Sequence, residues 1–374
     1  MIFAFIISII YTTLIIAFII GFDKIETIKI KNTLPKNTFS IIIPFRNEAP
    51  NLPCLLKSLS KLNYPNHLFE IFLVNDESND GFNSIIEPFK LQHPTLKLFL
   101  IENNRKTYSP KKDALKTAIK ISKCNWIVTT DADCEVPKNW LLLFNQFIEE
   151  KNPLFMSAPV KFKTKKGLLF HFQNLNFISL IGSSIGGFGI KKPIMCNGAN
   201  LCYHKNTFTQ LNGFEGNTTI ASGDDIFLLE KFHNLFPEKV HFLKAKENII
   251  FTNSEPNWKQ FLNQQLRWAS KSTSYKNNFS KFVAVAVFLE NLMLIILGFL
   301  LFFKPDYWQL FLILLAIKTI VDYILILKTK KFLNTNFSLN YYLLTCISYP
   351  FYIVFIAFST LFTNYKWKGR TFKK

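Results

Sequence analysis

Two carboxylates, Asp131 and Asp133, stand two residues apart behind the apolar run Trp126 to Thr130. Hard anionic oxygens at that spacing can share one Mg²⁺ or Mn²⁺, an ion that keeps waters and takes its remaining ligands from a diphosphate. Solvated loop acids show the same pattern, so the weight of the pair comes from its place at the end of a strand. A second acidic pair, Asp224 and Asp225, follows Gly223 and opens the apolar run IFLLEKF. Acids there can simply compensate a helix dipole, worth a few tenths to about 1 kcal/mol, or one of them can serve as a general base that takes a proton from a hydroxyl. The third group is Gln264, Arg267 and Trp268, spaced i, i+3 and i+4 and hence on one helical face. Pro256 suits an early helical position, and Trp258, Phe261 and Leu262 give apolar support. A guanidinium can grip a diphosphate bidentately and an indole can floor a sugar ring. An amphipathic helix at a membrane would carry the same residues.

These groups need a scaffold, and the chain predicts one from residue 39 onward. FSIIIPF, a helical PNLPCLLKSLSKL and FEIFLVND read as strand, helix and strand, the strands apolar on both faces as in a buried parallel sheet. A further helix, DALKTAIKISK, leads into NWIVTTDAD. Ligands of open α/β sheets sit beyond the carboxyl ends of the strands, where residues 44–48, 76–80 and 131–133 converge.

With 374 residues, 49% hydrophobic and 18% charged, the chain cannot be disordered, a coiled coil or a disulfide-stapled miniprotein. The mean hydropathy of +0.16 predicts that part of the apolar surface faces lipid. Residues 1–22 are an uncharged apolar run without a basic n-region or cleavage site, which reads as an uncleaved transmembrane anchor. Lys24, Lys29 and Lys31 follow it and place the N-terminus outside and the rest in the cytoplasm. Further apolar stretches at 282–303, 306–327 and 339–362 form a C-terminal membrane region of residues 282–363 with a basic tail, 364–374. A third full crossing there would leave Lys366, Lys368 and Arg370 outside, so a re-entrant hairpin broken at Pro350 is the expected alternative. The expectation is an integral protein of the cytoplasmic (inner) membrane whose catalytic domain faces the cytoplasm.

Six cysteines without a C-x-x-C pair read as reduced thiols, and no Cys/His cluster has zinc spacing. The net charge of +19 owes part of its size to a general bias toward Lys, Asn, Ile and Phe. Lysines lie near lipid-proximal segments instead of forming a stripe with base-reading residues, so a membrane, and no nucleic acid, is the expected partner. Between Glu150 and Glu215 there is no acid. That stretch holds the apolar segment 167–190, an interfacial helix or an ordinary buried one.

Taken in order, Pro44 to Glu48, Val74 to Asp80, Lys111 before Asp113-Ala114-Leu115, the D-A-D, Gly198-Ala199-Asn200, the G-D-D and Gln264-Gln265-Leu266-Arg267-Trp268 resemble the membrane-bound family 2 glycosyltransferases. The resemblance covers residues 38–275 and implies a cytoplasmic GT-A domain, a Rossmann-like mixed α/β sheet for nucleotide-diphospho-sugars, with transmembrane helices at both ends. It implies nucleobase and ribose contacts from Pro44, Glu48 and Asp76, a basic contact from Lys111, ribose and metal acids in Asp131 and Asp133, and a Mg²⁺ or Mn²⁺ cofactor. Asp225, preceded by Asp224, corresponds to the catalytic base. Gln264, Arg267 and Trp268 match the Q-x-x-R-W signature, with Arg267 on the diphosphate leaving group and Trp268 near the acceptor sugar. Two positions depart from the pattern: Asn75 stands where an Asp is common, and Asp224 where a Glu is common.

The implied reaction is a single inverting displacement that needs one base and no carboxylate nucleophile. The expected donor is a nucleotide sugar, a UDP-sugar first, and the acceptor a lipid or lipid-linked glycan. The tail Lys366-Trp367-Lys368-Gly369-Arg370 is similar to that of ceramide glucosyltransferase-like members and favours a lipid. A processive β-glycan synthase is the alternative, although so few membrane segments would need partners or an oligomer to conduct a chain. A catalytically silent binding protein would have lost a motif acid, and Asp76, Asp131, Asp133 and Asp225 are all present.

Overall fold

The computed structural model describes residues 2–218, 222–271 and 276–372. They form two compact units, a sheet unit of Glu26–Lys163 with Met195–Asn253, and a helical unit of Met1–Ile25, Thr164–Ile194 and Ser254–Lys374. The division cuts across the contiguous 38–275 domain read from the sequence. Segment 164–194 and the Q-x-x-R-W segment join the membrane-type helices because their apolar faces pack there.

In the sheet unit, β1 (Phe39–Phe45), β2 (Phe69–Asn75), β3 (Leu98–Glu102), β4 (Trp126–Thr129), β5 (Phe155–Ser157), β7 (Leu201–His204) and β8 (Val240–Phe242) form one sheet of order β3-β2-β1-β4-β7-β5-β8. A separate parallel pair joins β6 (Val160–Phe162) to β9 (Ile250–Thr252). The helices are α2 (Leu52–Leu59), α3 (Asn83–Gln92), α4 (Pro110–Ile121), α5 (Trp140–Lys151), α7 (Lys205–Gln210) and α8 (Asp224–Leu235). β2 and β4 are buried from end to end and β1 nearly so, as continuous apolar strands covered on both faces must be.

Pro44 sits in the centre of this sheet without breaking it. Ile42 accepts from Thr130 N on the β4 side while Phe45 accepts from Asp76 N on the β2 side, so the missing N–H of Pro44 points toward β4. The β1–β4 ladder ends at Ile42 and Thr129, and Pro44, which has no N–H to extend it, lies just past that last pair. β1, β2, β3 and β4 are parallel, whereas β7 is antiparallel to β4. The residues before β7 therefore arrive at the same edge as the carboxyl ends of β1, β2 and β4. That edge receives the motif loops.

The helical unit contains α1 (Ile2–Lys24), α6 (Leu168–Gly189), α9 (Trp258–Ala269), α10 (Asn278–Leu300), α11 (Trp308–Leu333) and α12 (Leu339–Phe362), and then a hairpin of β10 (Tyr365–Trp367) and β11 (Arg370–Phe372). Four helical segments, Ile2–Lys24, Asn278–Leu300, Pro305–Leu333 and Leu339–Phe362, are long and apolar enough to cross a membrane. α10 starts earlier than its apolar run because Asn277 caps it, accepting from Phe279 N and Ser280 N. α11 runs past Lys328, which pairs with Asp23 at 2.9 Å, and ends where Asn334 takes a left-handed φ of 46°. α6 is buried along most of its length against α1 and α11, and Gly21 and Gly186 approach so closely that neither has room for a Cβ.

The hairpin break expected at Pro350 does not occur. Leu339–Phe362 is one continuous helix through Pro350, with Ser348 Oγ donating to Leu344 O and Thr345 O in the preceding turn. The carbonyl that Pro350 leaves without a donor is that of Cys346, one turn earlier. The β10–β11 hairpin nevertheless comes to lie beside α9.

Candidate active site

The carboxyl ends of β1 and β2 carry two loops that lock each other. Arg46 donates to the carbonyls of Asp76 and Glu77 at 2.6 and 2.7 Å. Asn47 N donates to Ser78 Oγ at 3.0 Å, and Asn79 N returns a bond to Asn47 Oδ1 at 3.0 Å. Ala49 N donates to Asp80 Oδ2 at 2.6 Å. Asn47 and Glu77 both hold left-handed φ values, 52° and 57°, which this cross-bonding keeps in place. Pro44 is the partly exposed residue of β1, and Glu48, 7% exposed, accepts from Asn51 Nδ2 at 2.6 Å and so stays fixed beside the first turn of α2.

Asp76 is 5% exposed and accepts from Asn103 Nδ2 at 2.7 Å, with Arg105 Nε 3.9 Å away. Asn103 and Arg105 follow β3 at the same edge and were not singled out from the sequence. The Asn-Asn-Arg run directly after an apolar strand was the available signal. The departure at Asn75 also finds its reason here, since its amide donates to both oxygens of Glu102, at 3.0 and 2.9 Å, while its carbonyl accepts from Ser78 N. An Asp at 75 would set two carboxylates face to face.

The acids meet at Lys111. Lys111 lies in the first turn of α4, and its ammonium is 2.7 Å from Asp131 Oδ1 and 3.4 Å from Asp224 Oδ2. Burial alone would pull this ammonium down, but the charges of Asp131, Asp224 and Asp225 outweigh it and hold Lys111 well above the ordinary lysine range. One cation thus ties the D-A-D, after β4, to the first turn of α8. Asp225 is fixed by two backbone donors, Ile226 N to Oδ1 at 2.8 Å and Gly198 N to Oδ2 at 3.3 Å. Gly198 is held by Thr129 Oγ1, which donates to its carbonyl at 2.7 Å. A Cβ on Gly198 would come within 3.2 Å of Asp224 Oδ2 and 3.4 Å of Lys111 Nζ, so the glycine keeps this cluster open. Gly223, with φ 84°, is the turn that delivers both acids.

Asn200 of the Gly-Ala-Asn motif is fully enclosed. It accepts from Trp140 Nε1 at 2.9 Å and donates to the carbonyls of Pro159 and Asn248, and so braces the turn before β7. Asp133 accepts from Thr252 Oγ1 at 3.2 Å and lies 3.7 Å from the Cys134 thiol. Burial, with help from Asp133 and Asp131, pushes that thiol up and keeps it protonated. Among the described residues no group of three or more His, Cys, Asp and Glu side chains could hold a metal. Asp131 and Asp133 therefore offer at most a partial shell, which fits a Mg²⁺ or Mn²⁺ that completes its ligands with substrate oxygens.

In the helical unit, α9 begins at the Asn257 cap, which accepts from Gln260 N. Gln264 Nε2 donates to Glu255 Oε1 at 2.8 Å, and the ring of Trp268 lies 6.4 Å from that of Phe177 on α6. Arg267, one turn beyond Gln264, is partly exposed.

A profile for "Glycosyl transferase family 2" matches residues 40–205, and one for "Glycosyl transferase family group 2" matches residues 126–362. A probable glycosyltransferase, YdaM, of Bacillus subtilis is 26% identical over 239 residues, 63% of this chain and 55% of that protein. A beta-monoglucosyldiacylglycerol synthase of Nostoc is 27% identical over 114 residues, 30% of this chain and 24% of that protein. A poly-beta-1,6-N-acetyl-D-glucosamine synthase of Staphylococcus epidermidis is 28% identical over 146 residues, 38% and 33% of the two. The chain thus spans about half or less of the length of these curated relatives. The solved structure of the mannosyltransferase PcManGT from Pyrobaculum calidifontis, in complex with GDP-Man and Mn²⁺, matches with TM-score 0.58 over 96% of each chain at 16% identity, a likeness of fold. With the group profile covering well over half of its residues, the chain belongs to the family 2 glycosyltransferases, and its fold is GT-A.

Proposed function

We propose that the protein transfers a sugar from a nucleotide-diphosphate sugar, a UDP-sugar first, to a hydroxyl of a lipid or lipid-linked acceptor, with inversion, on the cytoplasmic face of the cytoplasmic membrane. The observation that carries this reading is the cluster in which Lys111 joins Asp131 to Asp224 beside Asp225, at the sheet edge where such folds take their ligands. The similarity to a diacylglycerol-glycosylating enzyme supports a lipid acceptor. Lys24 at the end of α1, Lys29 and Lys31 after it, and Lys328, Lys330 and Lys331 at the end of α11 support a cytoplasmic catalytic face.

In this reading Asp76, Glu48 and Pro44 line the nucleoside end and Lys111 steadies Asp131 against the ribose. A divalent cation held by Asp133 and Asp131 would neutralise the diphosphate as it leaves. Arg267 balances the same leaving charge, and Gln264 and Trp268 orient the acceptor. Asp225, aimed by Gly198 N and Ile226 N, takes the proton of the acceptor hydroxyl as that oxygen attacks the anomeric carbon and the carbon–phosphate oxygen bond breaks.

The similarity to a poly-N-acetylglucosamine synthase favours the second reading, a processive β-glycan synthase. The test is transfer by the purified protein in detergent from UDP-, GDP- and dTDP-sugars with Mn²⁺ or Mg²⁺ into a total lipid extract, with Asp133→Ala as control. A metal-dependent, lipid-extractable product lost in the variant is expected. A non-extractable polymer would replace the leading reading by the second, and no turnover of any donor would remove both.

A further inference from the structure

A charge in the middle of an apolar helix is costly to insert, so such residues point to a function. α11 carries two. Lys318, 4% exposed, donates to Asp322 Oδ2 one turn on at 2.6 Å, and Tyr11 of α1 donates to Asp322 Oδ1 at 2.7 Å. The same ammonium lies 5.5 Å from the ring centres of Tyr11 and of Tyr349 on α12. Tyr349 hydroxyl reaches Asn176 Oδ1 of α6 at 3.4 Å, and the Asn176 amide donates to Gln265 Oε1 of α9 at 3.3 Å. Tyr352, also on α12, donates to that oxygen at 2.7 Å. The Gln265 amide then donates to Gln264 Oε1 at 3.3 Å, and Gln264 to Glu255 at 2.8 Å. Gln173 of α6 clamps Glu255 by two bonds to its backbone, at 2.9 and 3.0 Å.

The contacts form one chain. It runs from a buried ion pair in a membrane-type helix to the first residue of the Q-x-x-R-W face, entirely within the helical unit. Aromatic packing follows the same path, with Phe172 of α6, Phe261 of α9 and Tyr352 mutually in contact at 5.2 to 5.9 Å.

We infer that Lys318, Asp322, Tyr349 and Tyr352 are positioning residues that fix the rotation of α9, and with it Gln264, Arg267 and Trp268. Bundle stability by itself does not call for an ion pair, because well-packed apolar residues commonly replace one without loss. A connected buried polar network selects one arrangement instead. Orientation is what a group acting on a leaving diphosphate needs, since a misplacement of about 1 Å can cost about 100-fold in rate. The catalytic meaning of this chain rests on the function proposed above; the positioning itself does not.

The experiment is hydrogen exchange of the full-length protein in lipid nanodiscs, without substrate, for Tyr352→Phe and for the double variant Lys318→Met/Asp322→Leu. Tyr352→Phe keeps the ring stack and removes one hydrogen bond, and the double variant removes both charges of the pair together. Exchange in 258–269 is expected to rise about 3- to 10-fold in both, the equivalent of one lost hydrogen bond, with the sheet unit unchanged. No change in α9 in the double variant overturns the inference, as does faster exchange spread evenly through α1, α10 and α11, which would make the pair bundle glue. With a donor identified by the screen above, kcat should fall about tenfold at constant donor KM. If no donor turns over, the catalytic role of α9 falls while the exchange result still decides the positioning.

Discussion

Charge is handled differently in the two units, and the difference separates binding from holding. At the sheet edge, Lys111 is shared among Asp131, Asp224 and Asp225, and the Asp131 side chain stays 38% exposed. In the helical unit, Lys318 is 5% exposed at its side chain and Asp322 has a donor on each oxygen. The first cluster has more acids than cations and a face open to ligand. In the second, cation and acid meet each other inside the bundle. Surplus negative charge under one lysine suits a metal–diphosphate, whereas a closed pair in apolar surroundings suits the fixing of helices.

The sharpest way to test that contrast is Asp225→Asn. It should lower transfer by about 10²–10⁴-fold, the usual contribution of a general base, while nucleotide binding by calorimetry changes little; a variant with normal turnover removes the assignment. Lys111→Met comes next. It leaves Asp131 and Asp224 without their shared cation and should cost about 2 kcal/mol of stability, seen as a lower melting temperature, with Lys111→Arg recovering part of it. Because the folded ammonium is held above its unfolded value, its contribution is complete at neutral pH and is lost only as pH rises past about 10.4 toward the folded value. A melting curve that already weakens between pH 7 and 9 through this residue would contradict the cluster.

Asn75→Asp should have a smaller effect, about 1 kcal/mol or less given the exposure of Glu102, and Glu102→Gln in the same chain should restore it. The smallest concerns histidines outside the site. His204 and His241 are both lowered by burial, so the unfolded chain binds protons more readily below about pH 6.5. Stability should decline as pH falls from 7 to 5, and less steeply in His241→Gln. An unchanged melting temperature over that range would mean that neither imidazole is held neutral.

Much of the sheet unit was legible because its signals are local. Continuous β-branched and aromatic runs predict strands buried on both faces, and motif acids immediately after them predict the edge where they gather. Lys111, in turn, links Asp131 to Asp224 at that edge. Asn103, Arg105 and Thr252 were not legible, since each matters only through a partner far away in the chain or across the loop, as Thr252 does for Asp133 over 119 positions. The Pro350 break failed for a related reason. Proline disfavours a helix in isolation, but a helix in apolar surroundings has no better partner for its backbone.

The sequence by itself determined the parallel strands, the four apolar segments and the family, because periodicity, hydropathy and ordered motifs are properties of neighbours along the chain. Tertiary structure alone decided that α6 and α9 pack with the membrane-type helices, that Asn75 is paid for by Glu102, and that Lys318 connects through Tyr349 and Asn176 to the Q-x-x-R-W face. Each of those depends on which side chains meet after the chain closes. Closure sets distances that no spacing in the sequence encodes.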